Sequence, residues 1–147
     1  VKREAIAGGV RIVTERGTLM LTRPAPHVEL VRGEGHATGE IVDAILEQRD
    51  HILAEVGHIA LFDDLELMTG YDSGVRVRLT EWSKEHRTRI SAFHILTRSK
   101  LAAMGVTVAN LALGGSIRAH VRREAFERAL TEEMMLTEPR ASGARAP

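Results

Sequence analysis

Hydrophobic and polar positions follow two periods along the chain, and each change of period marks a new element. Val10 to Glu15 and Thr18 to Arg23 are short β-favouring runs around Arg16-Gly17, which predicts an N-terminal hairpin. Pro24 and Pro26 should then break the ladder. His27 to Arg32 reads as a further strand, and its Glu29 and Arg32 argue against full burial. Gly33 to Gly39 reads as a loop that delivers the chain to a helix. From Thr38 to Val56, the residues Ile41, Ile45, Ile52 and Val56 share one face, with Val42, Leu46 and Leu53 beside them. That is an amphipathic helix with Thr38 as N-cap and Gly57 as its stop.

His58 to Phe62 is a continuous apolar run, the mark of a strand buried on both faces of a parallel sheet. The next helix should begin at Asp72 or Ser73, with Val75, Leu79, Trp82 and His86 as its stripe. Arg89 to Leu96 reads as a second buried strand. Ser99 is the expected N-cap of a third helix, in which Leu101, Met104, Val108 and Leu111 recur at helical spacing up to Gly114-Gly115. Ser116 to Val121 reads as an edge strand turning Ile117, Ala119 and Val121 inward. Phe126, Ala129, Leu130 and Met134 give a last helix its apolar face.

Alternating strands and helices predict a single α/β domain over residues 1–136, with a mainly parallel sheet, helices on both faces and the hairpin extending one edge. Leu61, Phe62, Leu79, Trp82, Phe93, Ile95, Leu101, Val108, Phe126 and Leu130 are its expected buried residues. Residues 137–147 show no apolar periodicity and are expected to be a flexible tail.

Composition narrows the function. The 147 residues carry 20 Lys and Arg against 20 Asp and Glu, so no net field draws the chain to nucleic acid or anionic lipid. Phe62, Tyr71, Trp82, Phe93 and Phe126 are too scattered for a base-stacking platform. Cysteine is absent, which removes disulfides, thiolate metal sites and thiol nucleophiles. No apolar run approaches the ~18 residues of a membrane span. A soluble, cytoplasmic protein is expected.

Candidate chemistry concentrates after the apolar run His58 to Phe62, because ligands of open parallel sheets bind beyond the carboxyl ends of the strands. The stretch from Asp63 to Gly74 reads as a loop with four carboxylates (Asp63, Asp64, Glu66, Asp72), the hydroxyls of Thr69, Tyr71 and Ser73, and two glycines. Such oxygens suit Mg²⁺, but equally a helix N-cap at Asp72 or Ser73 preceded by solvated acids. Gly33, Gly35 and Gly39 spell a G-x-G-x-x-x-G string that would let a phosphate approach a helix start, or simply provide flexible helix entry.

The region from Asp64 to Val75 resembles the phosphorylation-site region of STAS domains, in the SpoIIAA-like branch of anti-sigma-factor antagonists. Asp64-Leu65 corresponds to the strand-end Asp and its apolar neighbour, and Asp72-Ser73-Gly74-Val75 to the helix-start motif. The order of elements agrees from about residue 10 to 134. The resemblance implies a non-enzymatic regulatory module with Ser73 as phosphoacceptor and Asp63, Asp64, Thr69, Tyr71, Asp72 and Gly74 as its partner or ligand surface. It implies a protein partner, a kinase or anti-sigma-like regulator, and homodimerisation.

No other chemistry assembles. His27, His36, His51, His58, His86, His94 and His120 make no His-x-x-x-His or Glu-x-x-His pair, so no metal or cofactor is expected. His94, inside an apolar strand, reads as a hydrogen-bonded core or rim residue, and no G-x-S-x-G elbow occurs. Arg118, Arg122, Arg123 and Arg128 read as a solvated basic face. The alternative function is a binding protein for a small molecule, lipid or nucleotide, using the acidic loop 63–74 or the glycine loop 33–39.

Overall fold

The computed structural model describes residues 1–136, so the expected tail lies outside the described residues. One seven-stranded sheet runs in chain order, β1 (Lys2–Ile6), β2 (Gly9–Val13), β3 (Gly17–Ala25), β4 (Val28–Ala37), β5 (Ile59–Tyr71), β6 (Ile90–Thr97) and β7 (Arg118–His120). The first four strands form an antiparallel meander, and β4 to β7 are parallel. The helices α1 (Gly39–Val56), α2 (Ser73–Glu85) and α3 (Lys100–Ala112) connect the parallel strands, and α4 (Arg123–Met134) follows β7.

Parallel strands laid down in chain order step in one direction, and right-handed crossovers stepping one way leave their helices on one face. The core follows this rule. Val31, Leu61 and Ile95 pack with Ile45 and Ile52 of α1, Val75 and Trp82 of α2, and Val106 of α3. The alternate strand residues Leu30, Ala60, Phe62 and Leu96 turn to the other face and pack on Phe126 and Leu130 of α4. Both faces of β5 are thereby covered, as its apolar start predicts.

The predicted hairpin is β2–β3, and a further strand, β1, extends the meander outward. Pro24 does not end β3, because a bulge between Thr22 and Ala25 takes up the irregularity. The predicted glycine loop is also strand: β4 continues to Ala37. Gly17 and Gly35 face each other there, and a Cβ at Gly17 would stand 2.6 Å from backbone oxygens of β4 and one at Gly35 2.7 Å from the Arg16 carbonyl just before β3. These glycines serve close backbone approach, with Gly35 at φ 77°. Thr38 caps α1 by position only, with no side-chain hydrogen bond, while Gly57 closes it at φ 91°.

Of the expected buried residues, Leu61, Phe62, Trp82, Phe93, Ile95, Phe126 and Leu130 are buried and Leu79 is half-buried. The stripe expected to bury α3 points outward: Leu101 is 48% exposed, Met104 64%, Val108 47% and Leu111 80%. The helix instead seats Ala102, Gly105 and Val106. Small residues allow a closer approach, and a Cβ on Gly105 would collide with the Tyr71 hydroxyl. The last strand is shorter than its alternation predicts. Ile117 is buried, but Ala119 and Val121 are exposed, as is Met134 at the end of α4.

Candidate functional site

The stretch from Asp63 to Tyr71 is not a loop but the second half of β5, paired with β4 over most of its length. Charges at 63, 64 and 66 would ordinarily end a buried strand; here partners from distant elements hold them in place. Alternation sends Asp63 to the face covered by α1–α3 and Asp64 to the face covered by α4. Both are buried, so neither belongs to a solvated surface. Thr69 is exposed, and Tyr71 is half-buried against Gly105 of α3.

On the α4 face, the Arg123 guanidinium donates to both Asp64 oxygens at 2.9 and 3.0 Å, and its Nη2 and Nε donate to Glu66 Oε1 at 2.7 and 3.0 Å. Arg32 Nε adds a contact of 3.3 Å to Asp64. Hydrogen bonds to Glu66 and Glu127, then to Asp64, hold the Arg123 pKa above its ordinary value. Arg123 is therefore drawn out of the basic face that its sequence neighbours suggest and clamps α4 to β5.

On the other face, Arg49 of α1 donates through Nε to Glu29 of β4 at 2.7 Å, and both side chains are buried. Gln48 supports the same carboxylate at 3.2 Å. Asp63 stands one strand over, its Oδ1 3.7 Å from Arg49 Nη2. Burial pushes the Asp63 carboxyl up to about 7, Arg49 opposing and Glu29 adding to the rise. Burial also raises the Glu29 carboxyl, with Arg49 pulling it back. Arg49 Nη1 and Asp63 Oδ1 have no hydrogen-bond partner although both are buried. Sequence reading missed Glu29 and Arg49 and took Glu29 as a sign of exposure. The available signal was an arginine on the apolar stripe of α1, four residues after Ile45 and three before Ile52.

At the sheet's carboxyl end the chain turns from β5 into α2. Asp72 is its N-cap by position, yet its carboxylate makes no capping bond and is drawn instead to His36 Nε2 at 2.8 Å and Arg16 Nη1 at 3.7 Å. Ser73, the first residue of α2, is exposed, as are Asp72 and Gly74. The start of α3 lies alongside, with the Leu101 side chain close to Gly70. The outward stripe of α3 therefore begins beside the strand end that leads into Ser73.

The histidines pair off rather than gather. His94 Nδ1 and His120 Nε2 are 2.9 Å apart between the rings of Phe62 and Phe126, and His27 Nε2 is 2.9 Å from Glu133 Oε2. Burial lowers the pKa of His58 and His120. Among the described residues, no three His, Asp or Glu side chains are placed to hold a metal ion. No helix among them is long and apolar enough to cross a membrane.

A parallel run of strands in chain order, entered from an antiparallel meander and backed by α1–α3, defines a SpoIIAA-like α/β fold. Two solved structures share it. One is a protein of the DUF3478 family with a SpoIIAA-like fold from Shewanella loihica PV-4, at 14% identity and a TM-score of 0.59, covering 81% of this chain and 98% of that one. The other is the anti-sigma factor antagonist SpoIIAA in its unphosphorylated form, at 16% identity and a TM-score of 0.53, covering 77% of this chain and 96% of that one. No protein-family model and no curated protein matches the chain.

Proposed function

We propose that this chain is a non-enzymatic, cytoplasmic protein-interaction module in which phosphorylation of Ser73 switches docking. The observation that carries the reading is the exposed Ser73 hydroxyl on the first turn of α2, next to an N-cap aspartate whose carboxylate is engaged elsewhere. No side chain caps the first turn, and although the Val75 amide already donates to the Asp72 carbonyl, a phosphate on Ser73 would meet the Ser73 and Gly74 amides and the positive end of the helix. The solved SpoIIAA of the same fold is described in its unphosphorylated form, and the phosphoacceptor position is carried to Ser73 here by the helix-start motif alone. A phosphate also adds roughly −1.5 to −2 charge beside Asp72, which would pull Arg16 and His36 toward it and reshape the surface without disturbing the core.

The docking surface combines this helix start, Thr69 and Gly74 with the outward apolar stripe of α3. The expected partner is a kinase or an anti-sigma-like regulator. Asp63 and Asp64 act from beneath, as buried supports. Wild-type, Ser73→Ala and Ser73→Asp proteins used as baits in the source cell, with phosphosites mapped by mass spectrometry, test the switch. The reading requires phosphate on Ser73, a partner shared by wild type and Ser73→Ala, and its loss from Ser73→Asp. Equal recovery on both variants defeats it.

A further inference from the structure

Between α1, α2, α3 and the sheet lies a cavity of about 110 Å³, walled by apolar side chains that include Leu19, Ile41, Ile45, Leu65, Phe93 and Val106. Arg76 interrupts this wall from its partly exposed side, and two buried charged residues, Arg49 and Asp63, interrupt it from within. Their Nη1 and Oδ1 atoms are buried and lack hydrogen-bond partners. A buried polar group left unsatisfied is costly, and two of them on the wall of one apolar cavity mark the place of a missing polar atom. The cavity is smaller than the apolar cavity of ~150 Å³ that accepts benzene, but it opens to solvent beside Arg76 and Thr80, so a small ring or short chain fits with part of it in that opening.

We propose that this cavity is a binding site for a small, uncharged apolar alcohol, whose hydroxyl accepts a hydrogen bond from Arg49 Nη1 and donates one to Asp63 Oδ1. The charges already present dictate the neutral head group. Glu29 and Arg49 neutralise each other, so an added anion at Arg49 Nη1 would face both Glu29 and Asp63, and the other guanidinium of the lining, Arg76, is partly exposed to solvent. An added cation would stand against Arg49. One hydroxyl supplies both missing contacts, as acceptor and donor together, without bringing a charge out of water. Arg76 and Thr80 of α2, both partly exposed, line the same cavity and reach from its wall to solvent. Tyr71 and Val75 beside Ser73 line the cavity, but Thr69, Ser73, Gly74 and the outward residues of α3 do not, so each proposal is tested on residues the other does not use.

The lone tryptophan provides the readout, because the Arg49 guanidinium lies over the Trp82 ring at 5.3 Å. Cyclohexanol and methylcyclohexane have nearly the same shape and differ by the hydroxyl. Each is titrated into the full chain while Trp82 emission and methyl NMR shifts of the cavity isoleucines are followed. Cyclohexanol should bind saturably and at least ~10-fold more tightly, since a site built to bond a hydroxyl rejects the analogue that lacks it. Asp63→Leu should reduce that preference to ~2-fold or less while cyclohexanol still binds, and Ala102→Leu should abolish both titrations by filling the space. Equal affinity for the two probes, no saturable response to either, or a preference that survives in Asp63→Leu overturns the proposal. Because Asp63→Leu exchanges a buried carboxyl for an apolar group, unfolding is not its expected outcome; should it unfold, Asp63→Asn, which keeps an acceptor, must retain the preference, and its loss there overturns the proposal as well.

Discussion

Asp63 and Asp64 are neighbours in β5 yet lie on opposite faces of the sheet, the first 3.7 Å from Arg49 of α1 and the second 2.9 Å from Arg123 of α4. The two arginines leave the carboxylates in different states. Asp64 accepts hydrogen bonds on both oxygens, whereas Asp63 has an unpartnered oxygen and its carboxyl rises to about 7. One strand thus carries a structural clamp on one side and a poised acid in an apolar cavity on the other.

The Asp63 carboxyl gives stability a defined pH dependence. Its folded pKa of about 7 lies above the ordinary 3.8, so between these values the folded protein keeps a proton that the unfolded chain releases. Its contribution is complete below about pH 4 and is lost as pH rises toward 7, an effect on the order of a few kcal/mol. Glu29 from β4 and Arg49 from α1 face this group; Glu29 is shifted in the same direction. His58 and His120 titrate in the opposite sense, because their lowered values make folding less favourable as pH falls through the ordinary histidine range. The difference between wild type and Asp63→Asn isolates the aspartate. Urea midpoints measured from pH 4 to 8 should show Asp63→Asn gaining on wild type as pH rises; parallel curves would refute the assignment.

Breaking the Glu29–Arg49 pair on one side strands a buried charge. Glu29→Leu or Arg49→Met alone should each cost about 3–5 kcal/mol, whereas the double variant should recover most of that loss. Equilibrium denaturation of the four proteins yields the coupling directly. Additive single losses would mean that the charges do not depend on one another.

The parallel half of the fold was legible because His58 to Phe62 and the stripe of α1 report their burial locally. The continuation of β5 was not. Its carboxylates are acceptable in a strand only because Arg49 and Arg123 arrive from other elements, and no local period records such pairings. In α3 the local signal pointed to the wrong face: Leu101, Met104, Val108 and Leu111 form the more hydrophobic stripe, but Ala102 and Gly105 fit closer to the sheet. Gly33 and Gly35 read as a loop, for helix entry or a phosphate, because a glycine needed for strand contact and one needed for a turn or a ligand are the same letter. At the candidate site, the α2 start at Asp72-Ser73 was legible, whereas the capture of Asp72 by His36 and Arg16 was not.

Arg123 should outweigh the other arginines near the last strand. Its bonds to Asp64 and Glu66 fasten α4, while its 34% exposure moderates the loss, so Arg123→Ala should cost roughly 1–3 kcal/mol. Lysine cannot reproduce the fork, and Arg123→Lys should recover less than half of that. Arg128→Ala, an exposed control on the same helix, should change stability by less than ~0.5 kcal/mol. Urea denaturation ranks the three, and equal effects of Arg123→Ala and Arg128→Ala would remove the clamp.

The outward stripe of α3 should contribute to association rather than to folding. Met104 and Leu111 are mostly exposed, and replacing them together by Gln and Ser removes apolar surface that the folded chain leaves in water. The double variant should keep its unfolding free energy within ~0.5 kcal/mol of wild type, whereas Val106→Ala, on the seated face of the same helix, should cost roughly 1–3 kcal/mol. Sedimentation velocity over a wide concentration range then separates two routes to a homodimer. Among the described residues the short strand β7 ends the sheet with one edge unpaired, and Ala119 and Val121 are exposed around it. A weak wild-type dimer that persists in the Met104→Gln, Leu111→Ser protein assigns pairing to the β7 edge, and one that disappears assigns it to α3. A chain that stays monomeric at the highest concentration excludes both, and leaves the stripe to a different protein.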